Sequence, residues 1–167
     1  MIVNIFHKYL AFFFILNLST WVNADETNPD DLYPDPKYSP AEVVNVQMNA
    51  LKNNDIPYKD AGIEVSFRFA SPENKKSTGP IERFRLLFDN EDYAPMLNYS
   101  SLEIGPINYS QDSANVPIFI LSKEGRKILY LFRLDKQTIK PYENCWMTSG
   151  VIRVPTDWLD EPQNKPI

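Results

Sequence analysis

An α+β fold is what this sequence predicts, and three observations carry it. Apolar residues recur at helical spacing behind capping signals in the first half of the chain. From Ser101 onward, strand-like runs bounded by turn residues take over. Within them, Val116 to Leu121 and Lys127 to Leu134 are joined by Ser122-Lys123-Glu124-Gly125, a hairpin signal. Helices first and antiparallel strands afterwards make a layered domain with helices on one face of a sheet.

The elements follow in order. Lys8, beside His7, gives a short positive region, and Leu10 to Leu18 is apolar apart from Asn17. Val22-Asn23-Ala24 then offers the compact residues that a signal peptidase reads. Residues 1–24 are therefore expected to be an export signal cut between Ala24 and Asp25, with the mature chain secreted or periplasmic. An uncleaved anchor is the rival reading, but the apolar run is shorter than the roughly 20 residues of a bilayer span. No stable membrane insertion is expected after cleavage. Residues 25–38 are acidic and hold Pro29, Pro34 and Pro36, which reads as an extended arm.

The domain is expected over residues 39–156. Ser39-Pro40-Ala41-Glu42 starts a helix, with Ser39 as N-cap, Pro40 in the first position and Glu42 closing a capping box. Val44, Met48 and Leu51 form its stripe, widened by Val43, until Asn53-Asn54-Asp55. Gly62 to Phe69 stays open: Ile63, Val65, Phe67 and Phe69 alternate as in a strand, yet Ile63, Phe67 and Ala70 share a helical face. The alternation favours the strand. Ser71 to Gly79 reads as a polar loop, and Gly79-Pro80-Ile81-Glu82 opens a helix with Pro80 first and a stripe of Ile81, Phe84, Leu87 and Phe88. Tyr93 to Leu97 reads as a short turn. Leu102 to Tyr109 is a strand broken by Gly105-Pro106, and Cys145 to Val154 is the last strand. Residues 157–167 read as a polar tail.

Composition excludes several functions. Cleavage takes one of the 17 basic residues and none of the 22 acidic ones, so the mature chain is acidic and makes a poor partner for nucleic acid. His7 is the single histidine, so export also removes every His-dependent triad, dyad or zinc site. The lone Cys145 has no internal disulfide partner and reads as a buried thiol. No Gly-x-Gly phosphate cradle occurs, and no cofactor or metal is expected. Asn98-Tyr99-Ser100 and Asn108-Tyr109-Ser110 match the N-glycosylation pattern, which has meaning only in a eukaryotic host. Ile128 to Leu134 is apolar on both strand faces, so something must cover the second one. A homodimer through the sheet face, or the domain's own arms, would do so.

A set of motifs adds a resemblance. Tyr33-Pro34-Asp35-Pro36, Ser39-Pro40-Ala41-Glu42-Val43-Val44, Asn54-Asp55, Phe69-Ala70-Ser71-Pro72-Glu73-Asn74, Thr78-Gly79-Pro80-Ile81-Glu82-Arg83-Phe84 and Cys145-Trp146-Met147 occur in that order. Over most of Tyr33 to Val154 the chain resembles an uncharacterised family of bacteria and plants, a domain of unknown function with a nuclear transport factor 2-like fold. The resemblance implies a cone of about three N-terminal helices in a curved, mostly antiparallel sheet, often with a pocket at the open end. It also implies that Gly62 to Phe69 is helical. It transfers no catalytic residue.

The candidate site residues are Arg68, Asn74, Thr78, Arg83 and Trp146. Thr78 and the free amides of the Pro80 helix, with Asn74 and Arg83, would suit an anion or a carbonyl; the alternative is turn and cap chemistry. Arg68 and Trp146 would line the mouth of a cone, where an aromatic wall with few polar groups suits small ligands. No catalytic set is named. Glu64, Glu103, Asp112, Tyr109 and Tyr130 are the pieces from which an isomerase, lyase or hydrolase would have to be built. The leading expectation is a non-enzymatic domain that binds a small ligand or serves as an accessory subunit. Carboxylate and tyrosine catalysis, or a structural dimeric module, are the alternatives.

Overall fold

The computed structural model describes residues 28–155. The export signal with its Ala24–Asp25 junction, and the tail over 157–167, lie outside the described residues. Within them the chain is α+β, with four α-helices and a curved five-stranded antiparallel sheet.

The first helix, α1 (Pro40–Lys52), begins as its sequence demands. The Ser39 hydroxyl accepts from the Glu42 amide, and the Glu42 carboxylate accepts from the Ser39 amide at 2.7 Å. The helix buries Val43, Val44, Gln47, Met48 and Leu51. At its end, Asn54 starts the next helix: its carbonyl accepts from the Gly62 amide, and its side-chain oxygen accepts from the Ile63 amide at 3.1 Å.

That next helix, α2 (Ala61–Phe69), is the helix that the resemblance implied, against the strand favoured by alternation. It is buried over most of its circumference, including Ala61, Gly62, Ile63, Val65, Ser66 and Phe69, so a period of two could not be told from a helix. Gly62 lets α2 lie directly against α1, where a Cβ would collide with the Ala50 carbonyl. A correction is needed at α3 (Pro72–Thr78), a helix where a polar loop was expected. None of its residues is buried, so it has no apolar stripe to betray it. Its start is fixed by the Ser71 hydroxyl, which accepts from the Asn74 amide at 3.1 Å, and by Pro72 in the first turn. Helix α4 (Ile81–Arg85) has Pro80 as its cap rather than its first residue and continues as a 3₁₀ turn, Leu86–Asp89. The helices thus number four, not about three. A further 3₁₀ turn, Ala94–Met96, falls within the expected Tyr93–Leu97 turn.

The strands β1 (Ser101–Ile104) and β2 (Asn108–Ser110) both pair with β3 (Ser113–Leu121). Gly105-Pro106 lies in the break between them. β3 pairs with β4 (Lys127–Lys136) through the hairpin, and β4 pairs with β5 (Trp146–Val154). Val116, Ile118, Ile120, Ile128, Tyr130, Phe132 and Leu134 point to the helices and join them in one core. Pro117, Phe119, Leu129, Leu131, Ile152 and Val154 alternate with those residues and occupy the opposite face. Pairing slips between Arg133 and Leu134, whose partners are Gly150 and Thr148, so Ser149 is an extra residue in β5.

Candidate functional site

The slip in β5 builds the site. Beside that slip, on the edge strand, the Thr148 carbonyl accepts from the Ser71 amide at 2.8 Å and from Asn74 Nδ2 at 3.0 Å, next to a parallel bridge between Ala70 and Thr148. One residue of sheet therefore anchors the start of α3. The Thr148 hydroxyl faces the helices and donates to Gln47 Oε1 at 2.6 Å. Gln47 Nε2 donates in turn to the Ser66 carbonyl at 3.0 Å. Gln47, Ser66 and Thr148 are all buried, and the network ties α1, α2 and β5 together. Such a network is stabilising only when its members are satisfied, which here they are.

Above this floor lies a cavity of about 60 Å³. That is several times the roughly 10–15 Å³ one water molecule requires. Its apolar wall is formed by Phe84, Leu87, Phe88, Met96, Phe132 and Val151. Asn74, Thr78 and Tyr93 add polar groups to those of the floor. Thr78 Oγ1 donates to the Asn74 carbonyl at 2.9 Å, and the Tyr93 hydroxyl donates to the Val151 carbonyl at 2.9 Å. Burial, followed by the neighbouring Asp92, raises the Tyr93 pKa, so this phenol remains a neutral donor at ordinary pH. Among the described residues lining the cavity none is charged. The site can hold an uncharged molecule by hydrogen bonds and apolar contact.

Of the residues singled out in the sequence, Asn74 and Thr78 line this cavity, whereas Arg68, Arg83 and Trp146 are not among its lining residues. Arg68 holds the arm: its Nη1 donates to the Pro29 and Leu32 carbonyls at 2.7 and 2.8 Å, and its guanidinium lies 4.7 Å from the centre of the Tyr33 ring. Arg83 is exposed on α4 and runs past Gly79. Trp146 packs partly buried against the core at the start of β5. The floor residues Gln47 and Thr148 were missed. A glutamine inside the stripe of Val43, Val44, Met48 and Leu51 was the one available signal.

The acids and phenols do not converge in the cavity. Tyr130 is buried, and its hydroxyl donates to the Asp92 carbonyl at 2.6 Å; burial pushes its pKa up to about 12. Tyr109 and Glu103 are exposed on strands, and Asp112 is exposed in a turn. Glu64 is paired with Arg85 at 2.5 Å and accepts from the Tyr58 hydroxyl at 2.9 Å, on the outside of α2. That hydrogen bond, more than burial, raises the Tyr58 pKa to about 12. Cys145 is buried, and its thiol is pushed up by burial and then by Asp35.

Comparison with known proteins places the chain in one family. It belongs to the domain of unknown function family DUF4864, whose model matches residues 37–160. No curated protein and no solved structure matches it.

Proposed function

We propose that this member of an uncharacterised family is an exported, non-enzymatic domain with a nuclear transport factor 2-like cone that binds a small uncharged ligand. The observation that carries the reading is the neutral cavity with a prearranged hydrogen-bonding floor beneath an aromatic wall. A pocket of this kind suits a molecule with an amide, carbonyl or hydroxyl head and a short apolar body. Asn74 meets the head, with the Tyr93 oxygen as an acceptor because its one hydrogen goes to Val151, while Phe84, Phe88 and Phe132 meet the body. The signal pattern ending at Ala24 supports a secreted or periplasmic address. An isomerase, lyase or hydrolase using carboxylate and tyrosine chemistry is disfavoured, because Glu64, Glu103 and Asp112 lie away from the cavity.

Native mass spectrometry of protein purified from its own host is expected to show a non-covalent adduct of low mass. Thr78→Trp, which places a bulky ring at the partly exposed rim, is expected to lose the adduct while keeping the circular dichroism spectrum. An adduct that survives in Thr78→Trp, or a wild-type protein that carries none and takes up no neutral amide or phenol from a thermal-shift panel, would sink the reading.

A further inference from the structure

The outer face of the sheet points to a use independent of the cavity. Three cross-strand rows lie in register: Glu103, Phe119, Leu129 and Val154; then Pro117, Leu131 and Ile152; then Asn115, Arg133 and Gly150. Apart from Glu103 on the outlying β1, the first two rows form an apolar block in which Phe119 is 40% and Ile152 58% exposed. Charges stand on the same face at both ends of β4, Lys127 at one end and Asp135 at the other, with Leu131 midway. The face is four strands wide beside a β3 of nine residues. At ordinary strand spacing and rise this gives a projected area of about 600 Å². A standard interface uses roughly 800 Å² per partner, so the face and its rim nearly suffice.

We infer that this face docks a second copy of the same chain about a two-fold axis that crosses the strands at Leu131. Closed two-fold dimers need a self-complementary patch, and this axis makes one. It stacks Leu131, Pro117 and Ile152 on their own counterparts and sets Lys127 of each copy against Asp135 of the other, twice over. It also carries Val154 onto Gly150, where an added Cβ would meet nothing within 4 Å, lays Phe119 on Asn115, and lays Leu129 on the stem of Arg133, whose guanidinium pairs with its own Asp135. The other in-plane axis, parallel to the strands, opposes Lys127 to Leu121 and Asp135 to Ser113 and pairs no charges. Stacked sheets lie about 10 Å apart, a gap that Lys127 and Asp135 can close together at the rim. Asp135 also pairs within its own chain with Arg133, at 3.6 Å, which holds its carboxylate on this face.

Sedimentation equilibrium on the full mature chain, up to about 100 μM, tests the proposal, since a micromolar dimer is fully resolved in that range. The wild type is expected to dimerise. Ile152→Lys and Phe119→Lys, both at exposed positions, are expected to weaken the dimer at least about tenfold with unchanged circular dichroism. Lys127→Glu is expected to weaken it less, and the double variant Lys127→Glu/Asp135→Lys to recover most of that loss at low salt. A monomeric wild type overturns the proposal, and it does so equally if removing residues 156–167 then creates a dimer, because the chain's own end is then the occupant. A dimer indifferent to Ile152→Lys and Phe119→Lys overturns the face. Failure of the charge exchange to rescue overturns the axis.

Discussion

The two faces of the sheet draw on the same kinds of side chain. Ile118, Tyr130 and Phe132 on the inner face are at most 1% exposed, whereas Phe119 and Ile152 on the outer face remain open to solvent. Strand, spacing and composition do not separate them. What separates them is cover: α1 and its neighbours lie on one side, and among the described residues no helix lies on the other. Apolar character in a strand therefore reports a demand for burial and does not say what meets it.

The sharpest way to break this contrast is to remove one ring from the covered face. Phe132→Ala empties a fully buried position in the cavity wall and is expected to cost about 3–5 kcal/mol of stability. Urea denaturation of the variant measures it. A loss below about 1 kcal/mol would mean that the helices do not seal this face as described.

Alkali probes the same face by charge rather than volume. Burial, the largest cause, raises Tyr130 from 10 to about 12, and burial does the same for Tyr99. The folded chain thus favours the protonated phenols. Their contribution is fully present below pH 10, the unfolded value, and is lost as pH rises through about 12. The loss from Tyr130 is expected to be of the order of 2 kcal/mol. Urea midpoints measured between pH 9 and 12 should fall, and Tyr130→Phe should flatten part of that fall. A flat profile in the parent protein would contradict the burial of both rings.

Thr148 lies where covered sheet meets the cavity. Thr148→Val keeps the shape but strips Gln47 Oε1 of its donor. A cost of about 1–3 kcal/mol is expected for that buried acceptor, read again from urea midpoints. Gln47→Leu added to Thr148→Val should recover only part of it, since the orphaned Oε1 goes but the Ser66 carbonyl loses its Nε2 donor. If the pair is additive, the network is not coupled as drawn.

Legibility in the sequence followed whether the signal was local. Ser39 to Glu42 declares its helix because a capping box is closed within four residues. The β3–β4 hairpin and the break at Gly105-Pro106 are equally local. α2 was ambiguous because burial on most sides erases periodicity, and only the family resemblance favoured a helix there. α3 was missed although its Ser71 cap and Pro72 are local, because no apolar stripe follows them, and what holds it to the sheet is Thr148, far along the chain. Asn74 and Thr78 were singled out for an anion or carbonyl site in the distinctive Phe69 to Phe84 stretch, and both line the neutral cavity. Arg68 was assigned to a mouth by its chemistry, yet its carbonyl acceptors lie in the arm, more than thirty residues upstream. Gln47 and Thr148 meet across 101 positions, and a slip of one residue in β5 decides which way Thr148 points. Side-chain type announces what a residue could bond; register determines what it does bond.

The smallest effect is expected on the uncovered face. Phe119→Ala removes as many atoms as Phe132→Ala from a position that already meets water, so the isolated monomer should lose less than about 1 kcal/mol. The measurement that gives this value meaning is its dependence on protein concentration. For a chain that dimerises through this face, the wild type gains stability with concentration by mass action. Phe119→Ala should gain less, so the gap between the two should widen as protein is added. A gap that stays small and constant would mean that Phe119 has no partner in either state. A gap as large as that of Phe132→Ala, even at high dilution, would mean that the outer face is covered within the single chain. The two faces would then differ only in what covers them.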